Sequence, residues 1–147
     1  MKVVLDTNVI LSAYLFGGRP LDVLKLAKEG VVELLTSDEA LGELVGVLHR
    51  DKFSNRLRRL GLTPELVVST FKEIAVPVAP ANVSGICGDP DDDHFIGIAI
   101  AGEADAIISG DKHLLNCAGK LPVRVVTVSE FLAMLGQLTQ QQTEDGA

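Results

Sequence analysis

Lys2-Val3-Val4-Leu5-Asp6-Thr7-Asn8-Val9-Ile10-Leu11-Ser12-Ala13-Tyr14 opens the chain, and its reading decides the fold. Lys2 to Leu5 is a short apolar, β-rich run, read as a first strand. Asp6-Thr7-Asn8 stops it, and an apolar, helix-like run follows at once. A charge at the end of a buried strand, where a helix begins, is in an unusual place. Asp is a good helix N-cap and favours the positive helix end. Thr7 and Asn8 could cap equally well, however, and the three together exceed what one helix needs.

Strand-like and helix-like segments alternate from there on. Thr7 to Phe16 predicts a helix ended by Gly17-Gly18, and Pro20 to about Lys28 another, closed by Gly30. Val31 to Leu35 is the second strand. Ser37 caps a helix over Glu39–Leu48, and Asp51–Leu60 continues as a short basic helix stopped by Gly61. Thr63 caps a helix to about Ile74. Val76–Ala79 is a short strand that Pro77 assigns to a sheet edge. Ala81–Pro90 is loop, Asp91–Gly102 helix, Ala104–Ile108 strand, Asp111–Ala118 a helical turn or two, and Val123–Val128 the last strand. Ser129 caps a final helix to about Leu138, within a tail, residues 137–147, expected to fray. The pattern predicts a single α/β domain over residues 1–136, a parallel sheet with helices on both faces. Such a sheet binds ligands outside the carboxyl ends of its strands, where strand order reverses.

Composition narrows the class. With 147 residues, 47% of them hydrophobic, the chain has apolar material for one real core. No apolar run approaches the roughly 20 residues of a membrane span, and no signal-peptide pattern opens the chain, so a cytoplasmic protein is expected. Cys87 and Cys117 give neither a disulfide framework nor a CxxC metal spacing and are expected as reduced thiols. A net charge of −7 excludes a passive nucleic-acid coat. Charge is nevertheless clustered. Asp89, Asp91, Asp92 and Asp93 crowd one turn, while Arg50, Lys52, Arg56, Arg58 and Arg59 fall within ten residues, opposed only by Asp51.

Three later acids share the oddity of Asp6. Asp111 closely follows the Ala104–Ile108 strand, after Ser109-Gly110, so two strands end alike. If those strands are neighbours, Asp6 and Asp111 face each other and repel unless a cation or proton intervenes. Asp93 lies in a run of three acids at a helix start that needs only one. Asp92 and Asp93 point roughly 100° apart, so only one faces the cleft. Spacing alone leaves open which of the two it is; the family resemblance given below favours Asp93, with Asp92 then behind it. Glu43 is the only charged residue from Ala40 to Leu48, and no cation stands three or four residues away to pair with it. Gly42 and Gly46 beside it suggest close packing of that helix. An all-oxygen acidic set of this kind fits Mg²⁺ or Mn²⁺ rather than zinc and suits phosphodiester cleavage. His94 and His113 adjoin the set as outer residues.

Together these residues resemble the PIN domain, a small α/β nuclease fold. Asp6-Thr7-Asn8-Val9 is similar to its first motif and Ser37-x5-Glu43-Leu44 to its second. Asp93-x2-Ile96, running on to Ala104-Asp105-Ala106-Ile107-Ile108-Ser109-Gly110-Asp111, is similar to the third and fourth. Asp89 to Asp93, with Ser109 to Leu115, is especially like the VapC-like subgroup of bacterial and archaeal toxins from toxin–antitoxin pairs. The resemblance runs from residue 2 to about residue 135. It implies a three-layer fold with a five-stranded parallel sheet of order 3-2-1-4-5. It implies that Asp6, Glu43, Asp93 and Asp111 hold Mg²⁺ or Mn²⁺, with Asn8 and Ser109 in polar support. It implies single-stranded RNA as substrate, a homodimer and a small antitoxin partner. Arg50, Lys52 and Arg56 would then meet the RNA backbone. Ser109 stands where Thr is usual, and His113 where many members have Asp.

Other readings differ in role. A PIN nuclease could serve RNA processing or decay without toxicity, and a PIN-like scaffold could bind without cleaving. Receiver and phosphohydrolase domains also place Asp at strand ends. Here, however, Asn8 stands where the second Asp after a nucleophilic Asp is expected, and a receiver's acid pair after its first strand is missing.

Overall fold

The computed structural model describes residues 1–145, with side chains through Gln137. The strands are β1 (Lys2–Leu5), β2 (Glu33–Thr36), β3 (Ala75–Pro77), β4 (Ala106–Ile108) and β5 (Arg124–Val126). They form one sheet of order β3-β2-β1-β4-β5, every pair parallel. Strand order therefore reverses between β1 and β4. Leu5 lies opposite Ile108, and the Asp6 N–H donates to the Ile108 carbonyl at 3.1 Å. The two strands that end in acidic segments are neighbours.

Side chains alternate across the strands and build two cores. Val3, Leu5, Leu34, Ala106 and Ile108 face one way. They pack under α1 (Thr7–Phe16), α2 (Gly18–Lys28), α3 (Asp38–Leu48), α5 (Pro64–Ile74) and the start of α8 (Val128–Asp145), with Leu57 of α4 (Asp51–Leu60) at the border. Val4, Leu35, Ile107 and Val125 face the other way, under α6 (Pro90–Ala101) and α7 (Lys112–Cys117). This is the three-layer α/β/α arrangement expected. Both faces of the central strands β1 and β4 are dry, which is why they carry continuous apolar runs rather than alternation.

Local signals explain most boundaries. Asp6, Ser37 and Thr63 each accept from the backbone N–H three residues on, capping α1, α3 and α5. Gly61 ends α4 in the left-handed region, φ 70°, where a side chain would be strained. The cap of α8 is Thr127, whose hydroxyl accepts from the Glu130 N–H at 3.1 Å, and not Ser129, which accepts from Arg19. That helix runs on to Asp145, beyond the expected end near Leu138. Of the tail expected to fray, residues 146–147 lie outside the described residues.

Two expectations fail. Gly42 and Gly46 face open space, and a methyl group at either would meet nothing within 4 Å. Close approach occurs at Gly97 instead, where a Cβ would lie 2.5 Å from the Ala81 carbonyl oxygen. Cys87 and Cys117 are joined in a disulfide with Cα atoms 5.8 Å apart. The loop after β3 folds back over α7, a contact between segments 30 residues apart that spacing alone does not reveal. The argument for a reducing compartment from free thiols falls with it. Among the described residues, no helix is long and apolar enough to cross a membrane.

Gly42→Ala and Gly46→Ala should each stabilise the fold by about 0.5–1 kcal/mol, since helix propensity is gained without a clash. Gly97→Ala should destabilise it. Urea unfolding of the three variants checks both signs.

Candidate active site

Asp6 is positioned by the β1–α1 junction and is buried, 6% exposed. Its Oδ1 accepts from the Val9 N–H at 2.9 Å, and its Oδ2 accepts from the Ser109 hydroxyl. The same Ser109 oxygen accepts from the Asp111 N–H at 3.0 Å, so one hydroxyl ties the ends of β1 and β4 together. Asp111 caps α7 through the His113 N–H, 2.9 Å from its Oδ1. Glu43 projects from the middle of α3 toward the same opening. The start of α6 closes the opposite wall.

These segments enclose a cleft of about 250 Å³ lined by Asp6, Thr7, Asn8, Glu43, Val47, Arg50, Asp89, Asp91, Asp92, Phe95 and Asp111. It holds six carboxylates against the single guanidinium of Arg50. It lies at the carboxyl ends of β1 and β4, where strand order reverses, as a doubly wound sheet requires.

Asp6, Glu43, Asp111, Asn8 and Arg50 come together here. Asp93 does not: the structure reverses the expected order, placing Asp92 in the cleft and turning Asp93 toward the loop on the far side of α6. The reason is helix phase. Residues three, four and seven beyond Asp92 are Phe95, Ile96 and Ala99, all buried. The corresponding stripe from Asp93 ends on Ile100, which is 40% exposed. Asp92 therefore shares the inward face. Asp89 and Asp91 join the cleft as well, and the crowding of four acids in one turn was their only signal. Lys52 and Arg56 stand outside its lining. Lys52 lies over the Phe53 ring at 5.0 Å, and Arg56 covers Phe16 while donating to the Leu15 carbonyl at 2.8 Å.

Electrostatics follow from the crowding. Burial pushes the Asp6 carboxyl above its ordinary 3.8, opposed by the Ser109 and Val9 hydrogen bonds and reinforced by Asp111. Burial also raises Asp92, with Asp111, Asp89 and Asp6 adding to it and His113 opposing. Glu43 is raised by desolvation and then Asp91, against His94, Thr7 and Arg50. Glu43 keeps its outer surface in water, which screens these interactions. Asp92 Oδ2 is buried without a hydrogen-bond partner, and the His113 Nε2 is 3.8 Å away.

Hard oxygen donors, mutual repulsion and an orphaned carboxylate oxygen fit a divalent cation. Among the described residues, no three acidic, imidazole or thiol groups are spaced to share one ion as they stand. Asp6, Glu43, Asp92 and Asp111 are the candidates that would turn inward. The disulfide bears on this wall: it fixes the loop carrying Asp89 to α7, beside His113, whose Nε2 pairs with the Cys87 carbonyl.

A parallel α/β/α sheet with an acidic cleft at its switch point is the arrangement of a PIN domain, and the PIN domain family model matches residues 2–113. The chain belongs to that family. It is 32% identical over 145 residues to the uncharacterized protein MJ1680 of Methanocaldococcus jannaschii, with 90% of each chain covered. Its fold is similar to a chain in the crystal structure of VapBC2 from Rickettsia felis bound to a DNA fragment from their promoter. The TM-score there is 0.53 at 18% identity, covering 86% of this chain and 97% of that one, a likeness of fold. PIN domains are in general nucleases that use divalent metal ions, so this chain is a member of a nuclease family.

The raised carboxyls set a sign for pH. Their contribution to stability is complete below the unfolded value, 3.8 for Asp92, and is lost as pH rises through the higher folded value. In chelator, Asp92→Asn should therefore gain stability over the native chain, by more at pH 8 than at pH 4. Thermal melts at the two pH values read the difference. Reducing Cys87–Cys117, which closes a loop of 30 residues, should cost roughly 2–4 kcal/mol, seen as a lower urea midpoint in dithiothreitol.

Proposed function

We propose that this chain is a divalent-metal-dependent endoribonuclease acting on single-stranded RNA, and that it is the toxin of a toxin–antitoxin pair. The observation that carries the nuclease reading is the cleft at the ends of β1 and β4, lined by Asp6, Glu43, Asp92 and Asp111. These four would hold Mg²⁺ or Mn²⁺. Asp92 takes the place that the motif resemblance gave to Asp93. The ion, when bound, activates water and neutralises charge on the phosphate.

The protein's own residues do the rest. Ser109 and the Val9 N–H fix both Asp6 oxygens, so that carboxylate is held in one orientation. Asn8 offers an amide at the cleft mouth. Arg50 meets the backbone phosphate inside the cleft, and Lys52 and Arg56 on α4 extend the positive edge along which the strand leaves. The acidic lining repels RNA when no cation is bound, which makes substrate binding depend on the metal.

The toxin role, the antitoxin partner and a homodimer rest on the likeness of residues 89–93 and 109–115 to the VapC-like subgroup, supported by the fold shared with a VapBC2 chain. A short upstream reading frame whose product co-purifies with this chain and blocks cleavage is the expected finding. A protein that cleaves RNA but finds no such partner would leave RNA processing as its role.

Single-stranded RNA should be cut with Mn²⁺ or Mg²⁺ and left intact with EDTA. Asp6→Asn should lower the rate at least about a hundredfold with circular dichroism unchanged. Full activity in that variant would remove the nuclease reading. Calorimetry separates the two neighbouring acids: Asp92→Asn should abolish the heat of Mn²⁺ binding, and Asp93→Asn should keep it.

A further inference from the structure

A second cavity, of about 550 Å³, adjoins the acidic cleft and takes no part in the chemistry proposed above. It lies between the start of α3, the start of α6 and the loop after β3. Glu39, Gly85, Asp93 and His94 are among its lining residues. The two cavities share the same helices. Glu39 stands one turn before Glu43, and Asp93 and His94 directly follow Asp92. The separation, about 6 Å along the helix, is within reach of a base whose phosphate sits in the cleft.

The cavity presents two carboxylates, with the Asn82 amide and the Ser84 hydroxyl also in its wall. Asp93 is only 8% exposed; its Oδ2 accepts from the Gly85 N–H at 3.1 Å, and its Oδ1 is buried with no partner. His94 is used on both sides. Its Nε2 is 2.7 Å from the Ser37 hydroxyl and its Nδ1 is 3.3 Å from Glu39. With Ser37 donating to Nε2, the ring donates from Nδ1 and steers the exposed Glu39 carboxylate over the mouth. The Gly85 N–H in the wall is already taken by Asp93. An ionised carboxylate only accepts, and a buried acceptor left unpaired is costly. An occupant that satisfies Asp93 must bring a donor.

We propose that this cavity is a nucleobase subsite selecting guanine, with Asp93 and Glu39 accepting from its Watson–Crick edge. The proposal rests on the RNA-cleaving reading of the adjoining cleft. Guanine presents two adjacent donors on that edge, N1–H and the N2 amino group. Adenine and cytosine set one amino group beside a ring acceptor, and uracil flanks its one N–H with two carbonyl oxygens that the carboxylates repel. The volume is in the range that holds a heterocycle. Bases of single-stranded RNA are free to be read in this way.

The test is an NMR titration of the full-length protein, without divalent metal, with each of the four uncharged ribonucleosides and with free arginine. Guanosine should shift the Gly85 amide and bind about tenfold more tightly than the other three. That margin should vanish in Glu39→Gln, at an exposed position that leaves the fold intact, and in Asp93→Asn, where one oxygen can still accept from Gly85. Equal response to all four nucleosides, or none, as when an enclosed water satisfies Asp93, overturns the proposal, and so does a preference for arginine. Cleavage of single-stranded RNA with Mn²⁺ should favour guanosine at one fixed position by about tenfold, a preference lost in Glu39→Gln. Cleavage with no base preference overturns the subsite alone. Guanosine selectivity in a protein that cuts no RNA overturns the nuclease reading alone.

Discussion

The parallel pairing of β1 with β4 governs the rest of the molecule. With Leu5 opposite Ile108, the chain leaves the sheet twice at the same level, once through Asp6 and once through Ser109 to Asp111. One hydroxyl, that of Ser109, then accepts from the Asp111 backbone and donates to Asp6. A slip by one residue would turn every side chain of β4 to the opposite face. Ile107 would enter the wrong core and Ser109 would no longer reach Asp6. The apolar pattern of three-residue β4 therefore fixes a polar contact as well as a hydrophobic one.

That geometry sets stability against function. Carboxylates drawn together in a partly dry cleft raise one another's pKa and weaken the fold when ionised. The two apolar cores offset this. Val3, Val4, Ile107 and Ile108 are almost completely buried directly beneath the acids, so the repulsion falls on a rigid floor. Arg50 is the one cation in the lining, and it enters at the N-terminus of α4, where an apolar helix gives way to a basic one.

Much of this was legible in the residues. The strand-to-helix switch at Asp6, the caps at Ser37 and Thr63, the stop at Gly61 and the edge position of Pro77 all depend on neighbours within four residues. Glu43 could be singled out because its local surroundings hold no partner for a charge. The choice between Asp92 and Asp93 needed the phase of α6, which Phe95, Ile96 and Ala99 carry as a buried stripe three, four and seven residues on. The disulfide and the second cavity depend on the path of the loop after β3, which carries little periodic signal to follow. Gly42 and Gly46 misled because a glycine in a helix marks close approach at some sites and merely lacks a side chain at others. Only the neighbouring elements distinguish the two.

Pro77 carries a consequence beyond marking an edge. The Val78 N–H points inward to the Thr36 carbonyl, 2.8 Å away, so the nitrogen of Pro77 faces outward along the open side of β3. That nitrogen has no hydrogen to give. The outer rim of a three-residue strand is thus left one donor short, and an extended peptide laid along it would find an incomplete ladder. Growth of the sheet by strand addition is disfavoured on this side.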